Sequence, residues 1–228
     1  MTRSILLSAP LAVLFAVEAA AAVTGIFFWR KVKNSHFKYF VIFLLYIFLS
    51  DFAGPIIDAF GVDNNGYYDF FVIPVEFLFY YWLFYKSFNG MAYKQLVWAC
   101  SAAYIISVLV DILYFSKHNF FFYSFSYSIG NLLLLLLILL FFIQLTNSSG
   151  VLSYKRNMMF WICTGLLIYF LGSFPFYGLR NTFIAKYHHL HLVYSYVVFA
   201  FDYLMYLMFA LSFIWGKPNL KSSSSSST

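Results

Sequence analysis

Long apolar runs alternate with short polar connections along almost the whole chain. A hydrocarbon core about 30 Å thick requires roughly 20 apolar residues in helical form, and seven runs are of this length. The seven predicted spans are residues 5–29, 37–60, 67–85, 95–115, 120–145, 158–177 and 188–215. Helices are expected because hydrocarbon offers the backbone no hydrogen-bond partner. The pattern predicts an all-α membrane protein, a seven-helix bundle over residues 1–217, followed by a disordered serine-rich tail at 218–228.

The basic residues indicate how the bundle is oriented. Connections that face the cytoplasm are enriched in Lys and Arg. One side of the predicted bundle carries Arg30, Lys31, Lys33, Lys38, Lys86, Lys94, Lys155, Arg156, Lys217 and Lys221. The other side carries only Arg3, Lys117, Arg180 and Lys186. This bias predicts that the N-terminus is outside and the C-terminus is in the cytoplasm.

Composition supports a lipid environment rather than water. Hydrophobic residues make up 63% of the chain and charged residues 10%, whereas soluble domains contain about 45–50% and about 25%. The net charge of +6 does not indicate a nucleic-acid partner, because the basic residues lie in the short connections. Cys100 and Cys163 both fall inside apolar runs, so no disulfide framework is expected. The bilayer is the one partner that composition requires.

Polar residues inside the predicted spans are the candidates for function. An acidic residue at mid-bilayer costs about 2.5–3.5 kcal/mol on insertion scales, so each acid there is a functional hypothesis. Glu18, Glu76 and Asp202 fall near the centres of the first, third and seventh spans. Three further polar residues fall nearer the outer side, namely Asp51, Asp111 and Asn131. These depths predict an outward-facing cavity with the three central acids at its floor. The alternative is that the acids are protonated or paired and only tie helices together.

A second group of polar residues marks the outer entrance of this cavity. It comprises Asp58, Asp69, Arg180, His188, His189 and His191. His188 and His191 are three residues apart on one helical face, so they are the candidates for metal ligands. Zinc requires three or four such ligands, and histidines at a helix end also serve as interfacial or charge-pairing groups. No metal site and no cofactor are predicted.

Two pairs of predicted spans resemble each other. Residues 44–55 are similar to residues 166–177, and residues 75–84 are similar to residues 201–210, which aligns Glu76 with Asp202. The expected arrangement is a three-plus-one-plus-three parallel repeat with the fourth helix as linker. Parallel repeats of this kind occur in sugar carriers of the SWEET type, whose site lies at the repeat interface.

Four segments carry a resemblance to a known family. They are VEAAAAVTGIFFWRK (17–31), IPVEFLFYYWLFYK (73–86), KRNMMFWICTGLLIYFLGSF (155–174) and FDYLMYLMFALSFIW (201–215). Together they resemble an uncharacterised family of seven-helix membrane proteins from Bacteroidota bacteria, over nearly the whole chain. The resemblance implies seven helices and a location in the bacterial inner membrane. It implies no activity.

Three functions are compatible with these patterns. The first is a carrier or binding protein for a small molecule or cation, with the acids as its polar site. The second is a sensor or partner subunit, which would relay through another membrane or cytoplasmic protein. The third is an intramembrane metal hydrolase built on His188, His189 and His191, similar in outline to the seven-helix ceramidase-like hydrolases. Signatures of a nucleophile, a phosphate loop or HExxH are missing from the sequence, so no catalytic residue is predicted.

Overall fold

The computed structural model describes residues 2–60, 64–114, 124–147, 154–178, 182 and 186–218. Within these ranges the backbone is helical apart from short connections and one isolated bridge between Asn157 and Lys217. The helices are α1 Thr2–Phe27, α2 Trp29–Val32, α3 Lys38–Ala59, α4 Asn64–Tyr67, α5 Ile73–Ser87, α6 Met91–Tyr114, α7 Ser124–Thr146, α8 Met158–Gly178 and α9 His188–Trp215. A π-helical turn, Tyr68–Val72, joins α4 to α5.

Six of the helices contain a stretch that is long and apolar enough to cross a membrane. These stretches are Ala9–Phe27, Lys38–Ala59, Met91–Leu113, Phe125–Thr146, Met158–Tyr177 and Leu192–Trp215. Large apolar side chains remain exposed along them, including Phe27 at 81% and Leu113 at 72%. An exposed apolar surface of this extent requires lipid rather than water around it. The predicted class, a multi-pass all-α membrane protein, is confirmed.

The predicted third span, residues 67–85, differs from the other six. It corresponds to the π-helical turn followed by α5, which has only 15 residues. Pro74 occupies the second position of α5 and cannot donate a backbone hydrogen bond to the preceding turn. A wider π-helical turn next to this proline changes the direction in which the following side chains project.

Consecutive long helices pack beside one another, and the last returns to the first. α1 packs against α3, α5 against α6, α6 against α7, α7 against α8, α8 against α9, and α9 against α1. Stacked rings of Phe43 and Phe79, 3.9 Å apart, join α3 to α5. The hydroxyl of Tyr203 on α9 donates to the carbonyl of Pro10 on α1 at 2.7 Å. We call the end of the bundle at which α1 and α9 begin the upper end, and the opposite end the lower end.

Aromatic side chains fill the lower half of the bundle. The ring of Phe40 on α3 lies 5.1 Å from that of Phe209 and 5.8 Å from that of Phe213, both on α9. All three side chains are buried. Lys31, on the short helix α2, donates to the carbonyls of Phe213 and Ile214 at 2.7 and 3.1 Å and so caps the end of α9. Packed aromatic rings therefore occupy the interior of the lower half around these residues.

Glycines allow α8 and α9 to approach closely. A Cβ atom on Gly165 would lie 3.0 Å from the carbonyl oxygen of Met205, and one on Gly172 would overlap the ring of Phe201. Small residues at helix crossings let membrane helices pack backbone to backbone. This packing fixes the wall of α9 that carries Asp202.

Candidate acidic cavity

A cavity of about 430 Å³ lies in the upper half of the bundle. Its wall is built by α1, α3, the π-helical turn with α5, α8 and α9. Four carboxylic acids from four different helices line it: Glu18, Asp51, Glu76 and Asp202. Pockets of a few hundred cubic ångströms are typical of small-molecule sites.

Helical periodicity explains which side chains face the cavity. On α3 the lining residues are Ile47, Asp51 and Pro55, each four positions apart. On α9 the lining residues are Ser195, Val198, Phe199, Asp202, Met205 and Tyr206. Spacings of three and four place side chains on one helical face. One face of each helix therefore supplies its acid together with apolar neighbours a turn above and below.

Glu18 lies at the closed floor of the cavity. It is only 1% exposed, and neither of its carboxyl oxygens has a hydrogen-bond partner within the described part of the chain. The carboxyl of Asp51 and the hydroxyl of Tyr206 lie near it, outside hydrogen-bond geometry. A buried carboxyl without a partner is costly, so this position requires either a proton or a bound group.

The other three acids are partly exposed to the cavity. Asp51 is central, since it lies within electrostatic range of Glu18, Glu76 and Asp202. The hydroxyl of Tyr68 lies near the Asp51 carboxyl, and that of Tyr80 lies near Glu76. Glu18 and Asp51 therefore form one close pair, while Glu76 lies on α5 and Asp202 lies on α9.

The rest of the lining is apolar or carries hydroxyl groups. Among the described residues that line the cavity, none is Lys, Arg or His. Hydroxyls come from Tyr68, Tyr169, Tyr177, Ser195 and Tyr206, which sequence analysis did not select. Their signal was present in part, because Tyr206 follows Asp202 by four residues and Tyr68 precedes Glu76 by eight. Both spacings correspond to whole helical turns.

Asp111 was predicted to belong to the cavity, and the structure places it elsewhere. It lies near the end of α6, 1% exposed, and does not line the cavity. Its Oδ2 atom accepts a hydrogen bond from the backbone N–H of Ser126 at 2.6 Å. Ser126 is in the first turn of α7, where backbone N–H groups lack helical partners. Asp111 therefore caps a neighbouring helix.

Asn131 was also predicted to face the cavity and does not. Its side chain is completely buried on α7, and its Nδ2 atom donates to the carbonyl of Phe170 on α8 at 3.2 Å. The contact joins α7 to α8, while the Oδ1 atom has no partner among the described residues. This is the helix-tying role that was the alternative for such residues.

The predicted outer entrance is described only in part. Asp58 is exposed near the end of α3, Asp69 is partly exposed in the π-helical turn, and His189 is exposed in the first turn of α9. None of the three lines the cavity. Arg180 and the side chains of His188 and His191 lie outside the described residues. Nowhere in the described ranges do three or more His, Cys, Asp or Glu side chains come together so that they could hold a metal ion.

Fold and cavity together define a polytopic helical membrane protein with an acid-lined internal cavity. The chain matches no protein-family model, and comparisons with curated proteins and with solved structures find no match. The resemblance to the seven-helix family of Bacteroidota therefore stays an expectation, and so does the three-plus-one-plus-three repeat. Function has to be argued from the cavity itself.

Proposed function

We propose that the protein binds or carries a small cation in the acid-lined cavity. The observation that carries this proposal is the combination of four carboxyls with a described lining that contains no basic residue. Burying several negative groups without positive ones is unfavourable. A cationic ligand would supply the missing charge and would give Glu18 the partner that it lacks.

Access to the cavity would be from the upper end of the bundle. The packed rings of Phe40, Phe209 and Phe213 close the lower side, which supports an outward-open state. A carrier would have to separate these rings to release its ligand below. The π-helical turn contributes Tyr68 and Val72 to the cavity wall, and discontinuous helices form the binding sites of many transporters.

The proposal includes seven spans, with the upper end outside the bacterial inner membrane. The helical stretch at residues 64–87 would be about 36 Å long at 1.5 Å per residue, which is sufficient to cross the bilayer. Single cysteines at Asn34 and Phe60, in a variant without Cys100 and Cys163, would test the orientation. Only Phe60→Cys should react with an impermeant maleimide in intact cells. Labelling of Asn34→Cys alone would invert the topology.

Binding to protein purified in lipid nanodiscs tests the function. The probes share one carbon skeleton and differ in charge, namely 1-aminobutane, butan-1-ol and butanoate, and sodium chloride serves as an inorganic probe. We expect cations to bind, and Asp51→Asn to weaken that binding at least about tenfold, since a charge-assisted hydrogen bond contributes about 1.5–3 kcal/mol.

Asp58→Asn is the matched control, because it makes the same chemical change on the same helix at an exposed position outside the lining. It should retain wild-type affinity. Equal binding of the neutral or anionic probe, or an Asp51→Asn protein that binds cations as tightly as wild type, would refute the proposal. Uptake of the bound probe into proteoliposomes would distinguish a carrier from a binding protein.

A further inference from the structure

We infer that the ligand of the cavity is an elongated organic molecule with two or more separated amino groups, an α,ω-diamine or a longer polyamine. This inference rests on the proposed function and specifies its ligand class. The number of the acids, their distribution and the surface between them support it.

Four acids, when ionised, carry more negative charge than a single positive group can balance. Glu18, Asp51, Glu76 and Asp202 line one space, with no basic residue in the described lining. Glu18 adds an independent observation, since it is almost completely buried and both of its oxygens lack a partner in the described chain. Such a group on a cavity wall indicates a ligand atom that can donate hydrogen bonds, which an ammonium group does.

The distribution of the acids favours charges that are spread along a ligand. Glu18 and Asp51 are neighbours, and Glu76 and Asp202 project from two other helices, α5 and α9, within electrostatic range of Asp51. The described residues include no group of three acids, cysteines or histidines that could hold a metal ion. An inorganic cation would need several of its ligands around one point. Separate anionic points on different walls instead match a molecule with separate cationic ends.

The surface between the acids suits a hydrocarbon spacer. Leu14, Val198 and Met205 line the cavity together with aromatic side chains. Methylene groups gain from contact with this surface, and tyrosine rings attract ammonium groups through cation–π interactions. Tyr206 beside Glu18 and Tyr68 beside Asp51 would surround one cationic end. The volume of about 430 Å³ accommodates such a chain.

Calorimetric titration of nanodisc-embedded protein tests the inference with a series of probes. The series consists of α,ω-diamines with three to eight methylene groups, each compared with the primary monoamine of the same length. At the best length the diamine should bind at least about tenfold more tightly than its monoamine. Asp202→Asn and Glu76→Gln should each reduce this ratio to less than about threefold. Asp58→Asn should preserve the ratio.

The outcomes separate the inference from the proposed function. Monoamines that bind as well as diamines at every length would overturn the inference and leave a cation site in place. Binding of sodium alone would also overturn it. Failure of every cation to bind would remove the proposed function and the inference together. The comparison of diamine with monoamine uses the wild-type protein, so it decides the matter even if a variant fails to fold.

Discussion

Substitution of Asp111 tests most directly which buried acids stabilise the fold and which bind a ligand. Its Oδ2 atom lies 2.6 Å from the backbone nitrogen of Ser126, in the first turn of α7. The Ser126 hydroxyl is also near this carboxyl. A negative group at a helix N-terminus satisfies an otherwise unpaired N–H and interacts favourably with the helix dipole.

The structure sets the expected magnitudes. Asp111→Asn keeps an acceptor oxygen and loses the charge, so it should lower the free energy of unfolding by about 1 kcal/mol. Asp111→Ala removes the acceptor from a site that is 1% exposed. The hydrogen bond from the Ser126 N–H to Asp111 is then lost and a small cavity remains, so the loss should be about 2–4 kcal/mol. Neither variant should change the affinity for 1-aminobutane, because Asp111 does not line the cavity.

Unfolding in mixed micelles, followed by circular dichroism, measures these losses, and titration of the same samples measures affinity. Asp58→Asn controls for removal of a carboxylate at an exposed position. The reasoning fails if Asp111→Ala is as stable as wild type, or if it is well folded and has lost cation binding. The first result would show that Asp111 does not stabilise the start of α7. The second would show that Asp111 belongs to the cation-binding site.

Two further substitutions test the packing of the bundle. Gly165→Ala should lower the melting temperature more than Gly66→Ala, as thermal unfolding can measure. The added Cβ atom lies 3.0 Å from the backbone oxygen of Met205 in the first case and 3.8 Å from the ring of Phe70 in the second; equal losses would contradict this. Lys31→Met should cost about 1 kcal/mol because two carbonyls at the end of α9 lose their charged donor, and unfolding without any loss would show that the cap is dispensable.

The positions of most membrane-spanning helices could be predicted from the sequence, because the length of each apolar run determines them. The predicted span at 158–177 corresponds to the observed stretch Met158–Tyr177, and that at 37–60 corresponds to Lys38–Ala59. The π-helical turn at Tyr68–Val72 was not predicted. Its hydrogen-bond shift depends on packing against other helices, and Pro74 was the only local indication.

The candidate site was harder to predict. The sequence indicates how deep a residue lies in the bilayer, but it does not indicate towards which neighbour its side chain points. Depth in the bilayer follows from a residue's position in its span, and on that basis six polar residues were grouped together. The direction of a side chain around its helix depends on how that helix is rotated against its neighbours. Asp51 points into the cavity, whereas Asp111 and Asn131 point into helix contacts. The sequence alone could not separate them.

Asp111 and Glu18 are distinguished by their hydrogen-bond partners. In a medium without water, a buried polar group is costly unless another group satisfies it. The carboxyl of Asp111 has the N–H of Ser126, so its burial is accounted for within the chain. The carboxyl of Glu18, equally buried, has no such partner among the described residues. The two acids are equally buried, but only Asp111 has a hydrogen-bond donor within the described part of the chain. The missing donor for Glu18 is the physical reason to look for a cation at the floor of the cavity.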